Sequence, residues 1–258
     1  MCLVVFAWMA HPENRLVLAA NRDEFHRRPS QALHWWPDRP DVLAGRDLQA
    51  GGTWLAASRR GRIATVTNYR EQQLSRAGLR SRGELVTAFV AGSADPGAFV
   101  AAIEGEQYAG FSLIVADQNA LWYVSNRGDG PTMLSPGVYG LSNAALDTPC
   151  SKLLRSRSTL QSLIESDRVN ETELMRLLAD RTPAPVADVE TGALPFEMAR
   201  ALTAPFIVSP EYGTRCTSAV LWSHGGTMTL TEHRFDATGS KTGESRFNFP
   251  TPDTQSSA

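Results

Sequence analysis

Cys2 directly follows the initiator methionine. Met1 is expected to be removed ahead of so small a residue. The mature chain would then open on one residue that carries both a thiol and a free α-amine. Those groups are a nucleophile and a base. Their ordinary pKa values, about 8.5 and about 7.7–8.0, lie close together, so proton transfer between them costs little. An N-terminal residue that uses its own amine as base is one way to activate a nucleophile. The plainer reading is a small buried hydrophobe at the start of a strand, a common fate of free cysteine. The second group of interest is the polar run Asn21-Arg22-Asp23-Glu24.

The elements that must bring these together are legible in the pattern. Residues 3–10 are an apolar run that reads as a buried strand, 11–14 form a turn cluster, and 15–20 read as a second strand. A hairpin of these two, rising about 3.3 Å per residue, returns residues 21–24 to the N-terminus. Residues 25–45 carry Pro29, Pro37, Pro40, Trp35 and Trp36 and read as a long loop, either a wall over a pocket or a plug for the core. Strands over 51–57 and 62–68 form a second hairpin and deliver Asn68 at a strand end. A helix is expected over 81–91, opened by a capping box of Ser81 and Glu84. Another runs from Asp95-Pro96 to about 104.

Strands follow at 111–116, 121–125 and 137–143, the last delivering Asn143. Amphipathic helices are expected over 151–165 and 171–178, a loop over 180–195, and strands over 214–223, 227–235 and 243–249. Blocks of antiparallel hairpins alternating with helix pairs suit an α+β fold. The architecture expected is a four-layer αββα sandwich of two stacked antiparallel sheets flanked by helices. One domain is expected over 1–249, with a flexible tail over 250–258.

Composition narrows the function classes. The 258 residues are 42% hydrophobic and 20% charged with a net charge of −2, which gives no electrostatic case for nucleic acid or a membrane surface. No apolar run is long enough for a membrane span, and the N-terminus lacks the features of a secretory leader. Three widely spaced cysteines, at 2, 150 and 216, form neither a metal pattern nor a disulfide framework. That suits a reducing compartment, and the cytoplasm is expected. Cys150 and Cys216 are expected to be buried. The five histidines show no ligand spacing, so no metal is expected.

Seven motifs in order carry a family resemblance: Met1-Cys2, Asn21-Arg22-Asp23-Glu24-Phe25, Gly51-Gly52-Thr53-Trp54, Thr67-Asn68-Tyr69, Ser81-Arg82-Gly83-Glu84-Leu85-Val86, Tyr139-Gly140-Leu141-Ser142-Asn143 and Tyr212-Gly213-Thr214-Arg215. Together they resemble the NRDE family, also called the Transport and Golgi organisation protein 2 family. More distantly, the layout resembles the cysteine N-terminal-nucleophile hydrolases that include choloylglycine hydrolase and penicillin V acylase. Those have the αββα sandwich and cleave non-peptide amides.

The hydrolase resemblance implies Cys2 as nucleophile, Asp23 orienting its amine, Asn68 as an oxyanion donor, Asn143 binding the amine or the substrate carbonyl, and Arg215 beside the sulfur. The chemistry agrees in type: an ammonium wants a carboxylate, an oxyanion wants amide donors, and a thiolate wants a guanidinium. One departure stands out. The hydrolases carry an arginine three residues before the aspartate, where this chain has Ala20. Arg22 directly precedes Asp23, and strand neighbours point to opposite faces, so Arg22 is expected to face away from the thiol.

The reaction implied is hydrolysis of a small-molecule amide through an acyl-enzyme on Cys2, with no cofactor required. Arg22, Trp35, Trp36, Trp54 and Tyr69 are the candidates for substrate contact. The NRDE resemblance implies an alternative: a carrier of haem, or of a lipid or acyl-CoA, in a pocket lined by the tryptophans.

Overall fold

The computed structural model describes residues 2–71, 78–192 and 194–252. Strand β1 (Cys2–Trp8) turns through His11 into β2 (Asn14–Phe25). The two pair antiparallel from Trp8 opposite Leu16 to Cys2 opposite Arg22. The hairpin therefore does return the polar run to Cys2. β2 does not stop at residue 20, however. Along its whole length it pairs with β11 (Tyr212–Ser223), from Asn14 opposite Ser223 to Phe25 opposite Tyr212. The polar run thus stays extended inside a sheet.

Two antiparallel sheets are formed. The six-stranded one has the order β10 (Gly137–Leu141), β1, β2, β11, β12 (Thr227–Phe235) and β13 (Lys241–Pro250). The seven-stranded one runs in chain order: β3 (Ser30–Trp36), β4 (Arg39–Asp47), β5 (Leu55–Ser58), β6 (Arg62–Asn68), β7 (Phe111–Ala116), β8 (Leu121–Ser125) and β9 (Thr132–Met133).

Alternation along β1 and β2 builds the layers. Val4, Phe6, Trp8, Leu16, Leu18 and Ala20 face the other sheet and form the central core with Leu43, Ile114 and Trp222. The intervening Leu3, Val5, Val17 and Ala19 face outward onto α3 (Ser151–Glu165) and α4 (Glu171–Leu177), through Leu153, Leu160 and Leu174. On the far side, α1 (Gly83–Ala91) and α2 (Pro96–Ala101) cover the seven-stranded sheet through Leu85, Val86, Phe89 and Val100. Each such side chain contributes about 1.5–3 kcal/mol of burial. The result is the helix–sheet–sheet–helix sandwich that the hairpin blocks suggested.

Several local expectations are corrected. Residues 25–45 are not a loop: 30–47 form the β3–β4 hairpin. The prolines permit this, because Pro29 precedes β3, Pro37 lies in the turn, and Pro40 holds a β4 position without a ladder partner. The capping box does not form. Arg82 occupies the N-cap with no side-chain cap, and Glu84 instead binds Arg80 at 3.0 Å. Helix α2 is capped by Asp95, whose carboxylate accepts from the Ala98 amide at 2.9 Å, but it ends at Ala101. β9 and a short helix α5 (Phe196–Ala201) were not expected.

At the C-terminus, Pro250 belongs to β13. Thr251 is buried, and its hydroxyl accepts from the Trp222 indole at 3.1 Å. Residues 253–258, the rest of the expected tail, lie outside the described residues. Cys150 is exposed where α3 begins, whereas Cys216 is buried. Among the described residues no helix is long and apolar enough to cross a membrane.

Candidate active site

Cys2 opens on a cleft of about 420 Å³. One side of it is made by the ends of β1 and β2. The other is made by Thr53 and Trp54 ahead of β5, Asn68 at the end of β6, and residues 80–83 at the start of α1. That second wall depends on glycine. A Cβ on Gly52 would lie 2.6 Å from the carbonyl carbon of Gly83, and one on Gly83 would lie 2.9 Å from the Thr53 backbone. Two chain segments therefore meet backbone to backbone, which only residues without side chains allow.

Arg22 lies directly opposite Cys2 in the β1–β2 register. Residues opposite each other across an antiparallel pair share a face, so Arg22 faces the thiol side and not away from it. Residues 20 and 22 also share parity on β2. Arg22 thus occupies the same face as the position where the hydrolase pattern has its arginine. Its guanidinium is buried and stacks on the Trp54 ring, 4.3 Å from the centroid. Nη2 approaches Asp47 at 3.9 Å, while Nη1 is buried without a hydrogen-bond partner among the described residues. The row continues across the sheet, with Cys216 of β11 on the other side of Arg22. Burial and the neighbouring Glu232 push the Cys216 thiol well above its ordinary value. Cys216 is therefore an inert neighbour. It also stands two strands from Cys2, about 9.5 Å, beyond disulfide reach.

Asp23 follows on the opposite face of β2, one residue beyond the partner of Cys2. It therefore stands at the end where the chain enters β1. Its carboxylate accepts from the Thr214 hydroxyl at 2.7 Å, and Thr214 in turn accepts from the Ile207 amide at 2.9 Å. The Tyr212 hydroxyl holds the Asp23 carbonyl at 2.8 Å. Burial raises the Asp23 carboxyl above its ordinary range, opposed by the Lys152 ammonium, the Thr214 hydrogen bond and Arg22. Thr214 and Tyr212 sit in a quoted motif, but no sequence signal gave them this role.

Asn68 and Asn143 are brought together. Asn143, two residues past β10, donates Nδ2 to the Asn68 carbonyl at 2.8 Å. Its own carbonyl accepts from the Arg70 amide at 2.7 Å. Asn143 is buried and Asn68 exposed at the cleft. The Ser142 hydroxyl reaches the Cys2 carbonyl at 3.4 Å.

Four other candidates are placed elsewhere. Arg215 is the residue that bulges out of the β2–β11 ladder between Thr214 and Cys216. Its Nη1 donates to the carbonyls of Phe25, His26 and Arg28, so it clamps the turn after β2 and does not line the cleft. Trp35 packs edge-on to Phe247 and Phe249 in the central core, with the Arg59 guanidinium 3.8 Å from its ring centroid. Trp36 is buried under the outer helices and donates its indole N–H to the Ala44 carbonyl at 3.1 Å. Their removal from the cleft follows from 30–36 being a strand, not a loop. Tyr69 donates its amide to the Gly110 carbonyl at 2.9 Å and lies outside the lining. Of the three tryptophans only Trp54 borders the cleft.

The lining adds charged residues to which the sequence assigned no role of their own: Glu24, Arg28, Asp47, Arg80 and Arg82. Arg28 binds Asp47 at 2.8 Å and lies 3.8 Å from Glu24. Burial works against the Asp47 charge, but Arg28 and the amides of Gln49 and Ala50 outweigh it and hold the carboxyl below its ordinary range. Arg82 donates to the Gly110 carbonyl at 3.1 Å. Burial lowers its pKa, while the neighbouring Cys2 and Glu71 favour its charge. No group of His, Cys, Asp and Glu among the described residues could hold a metal ion.

Comparison with known proteins agrees with this architecture. The chain is similar to a conjugated bile acid hydrolase from Clostridium perfringens, solved as its C2A mutant, with a TM-score of 0.55 over 96% of this chain and 92% of that one. At 8% identity the likeness shows the fold. It is 36% identical over 255 residues to the Transport and Golgi organization protein 2 homolog of Bos taurus and, at the same identity, to that of Homo sapiens, covering 90% of this chain and 92% of each relative. The family model "Transport and Golgi organisation 2" matches residues 1–237. The chain belongs to the Transport and Golgi organisation 2 family.

Proposed function

We propose that the protein is an N-terminal cysteine hydrolase that cleaves the C–N bond of a small-molecule amide. The observation that carries this reading is the register at the cleft. Cys2 faces the cleft beside the guanidinium of Arg22, and Asp23 stands one residue on at the end where a free α-amine would arrive. With Met1 removed, the amine takes the thiol proton and the thiolate attacks the amide carbon. The oxyanion so formed meets the side-chain amide of Asn68, which the bond from Asn143 holds at the cleft, a contribution worth about 2.7–4 kcal/mol per donor in comparable sites. The protonated amine then gives its proton to the leaving nitrogen. Water, deprotonated by the same amine, attacks the thioester and releases the acid and Cys2.

Intact mass before and after brief exposure to iodoacetamide at neutral pH tests the first step. Loss of one methionine and a single fast label on Cys2 are expected. An amide screen follows, in which Cys2→Ala keeps the fold and loses turnover. Turnover unchanged in Cys2→Ala would sink the proposal.

The arginines of the cleft also favour a second reading, carriage of an anionic ligand such as haem or an acyl-CoA without turnover. The apolar pocket that this reading drew from Trp35 and Trp36 is not formed. Cys2 would have to be the iron ligand, since among the described residues no histidine lines the cleft. Titration with haem separates the two readings: a Soret shift lost in Cys2→Ala supports carriage, and its absence removes it.

A further inference from the structure

The chain contains only two lysines, Lys152 and Lys241, against twenty-three arginines. Lys241 is a surface residue paired with Glu244. Lys152 lies in the first turn of α3, on the face turned towards the sheet, and is 4% exposed. Its Nζ is buried without a hydrogen-bond partner among the described residues, as is the Ser156 hydroxyl one turn on. The α3–sheet layer is otherwise apolar, built from Leu153, Leu160 and Leu163 against Leu3 and Val5. A buried ammonium there calls for a reason. Asp23 is buried and, by the alternation of β2, faces the same layer, where the Lys152 ammonium favours its charge against burial without an ion-pair contact between the two among the described residues. A guanidinium has five N–H donors to satisfy in a fixed plane, whereas an ammonium is a compact charge on a flexible stem.

We propose that Lys152 is a positioning residue that sets the proton affinity of the Cys2 α-amine through their shared carboxylate, Asp23. The inference rests on the hydrolase reading, in which that amine is the base. With Met1 removed, Asp23 serves two ammonium groups. Each disfavours the charge of the other, because like charges around one carboxylate cannot both be fully compensated. The amine is the group in contact with solvent through the cleft, so it gives up its proton first and is held neutral, as a base must be. The ionisable groups around it are Asp23 and Arg22 from β2, Cys216 from β11, Lys152 from α3, and Arg82 ahead of α1. Ser142 and Asn143, past β10, are uncharged. Of these cations Lys152 alone lies on the helix side of the sheet with Asp23.

The test uses the full chain released from a fusion so that Cys2 is its first residue, with the thiol blocked as a methyl disulfide. The α-amine is titrated through the pH dependence of its acetylation by acetic anhydride, read by mass at the N-terminal peptide. In Lys152→Met the midpoint is expected to rise by about one pH unit, which lowers the neutral fraction about tenfold on the acid side. No rise, or a fall, overturns the proposal. The second measurement leaves Lys152 in place. In wild-type protein labelled with ¹³C-lysine, two ε-carbon signals are expected, for Lys152 and Lys241, assigned by the loss of one in Lys241→Arg, and that of Lys152 is expected to move as the amine titrates. A Lys152 signal that stays flat through that range overturns the proposal even if Lys152→Met does not fold. Neither readout requires turnover, so failure of every amide in a screen would remove the hydrolase reading and leave this coupling as measured.

Discussion

The side-chain amide of Asn143 donates to the backbone carbonyl of Asn68 across 2.8 Å, and the two residues belong to different sheets. Asn68 ends β6 of the seven-stranded sheet, and Asn143 follows β10 of the six-stranded one. This bond ties the sheets together at the mouth of the cleft. It sets where the Asn68 side chain stands relative to Cys2.

Asn143→Ala removes that tie and leaves a carbonyl to find water. Turnover of a given amide is expected to fall at least tenfold in kcat with little change in KM, at a stability cost of about 1–2 kcal/mol. Asn143→Asp, which loses the donor and keeps the shape, is expected to fall as far. Steady-state kinetics on both variants, with urea unfolding as control, checks this. A fall in stability with kcat intact would mean that the bond is structural only.

The two arginines once considered for the thiol make a contrast. Arg22 shares the face of Cys2, while Arg215 is engaged by three carbonyls of the turn after β2. Arg22→Met is expected to slow alkylation of Cys2 by iodoacetamide several-fold at neutral pH, because the developing negative sulfur loses a cation on its own face of the sheet. Arg215→Met should leave that rate within a factor of two. Equal effects of the two substitutions would contradict the placement.

Asp47 holds Arg28 at 2.8 Å and borders Arg22 at 3.9 Å. Its folded-state pKa lies below the ordinary value of 3.8, so its contribution to stability is present above that value and is lost as pH falls through the folded one. Asp47→Asn is expected to destabilise by about 1.5–3 kcal/mol at pH 7, in the range of a hydrogen bond to a charged group. The gap to wild type should close below pH 3.8. Urea melts at a series of pH values give the answer, and a gap independent of pH would refute the assignment.

Gly83→Ala places a methyl group 2.9 Å from the backbone of Thr53. The two wall segments must separate, at a cost of about 1–3 kcal/mol. Trp54 fluorescence is expected to shift, since its neighbour Thr53 moves. Gly130→Ala is a control of the opposite kind: unlike Gly83 it has a positive φ, +111°, and a Cβ there meets nothing within 4 Å. It should cost only its backbone strain.

How much of this could be read beforehand differs from residue to residue. Cys2 and Asp23 were legible because a hairpin with apolar alternation fixes its own register, and that register carried the polar run back to the N-terminus. Asn68 and Asn143 were legible as strand ends, but their bond was not, since it joins sheets whose relative placement no local pattern encodes. Arg22 lies on the face of Cys2, not away from it: parity against Asp23 says nothing of the facing strand, and the β1–β2 register decides the matter. Trp35 and Trp36 were misread because three prolines outweighed the alternation of 30–36. Proline excludes a strand only where its missing N–H is needed in a ladder. Arg215 could not have been placed without the bulge, which shifts its side chain out of the row that Thr214 and Cys216 define. Lys152 carried no motif at all.

The alternation of β2 has a consequence for how such a protein diversifies. Arg22 looks into the space between the sheets and Asp23 into the layer under α3, so one residue step divides the site into two compartments. In the proposed hydrolysis, what enters would be decided on the first side, by Trp54, Arg82 and the glycine-walled rim. How the proton is handled would be decided on the second, by Asp23, Thr214 and the buried face of α3. Changes on one side need not disturb the other. A lineage running that chemistry could exchange its ligand while inheriting the chemistry, or let the chemistry lapse and keep the vessel.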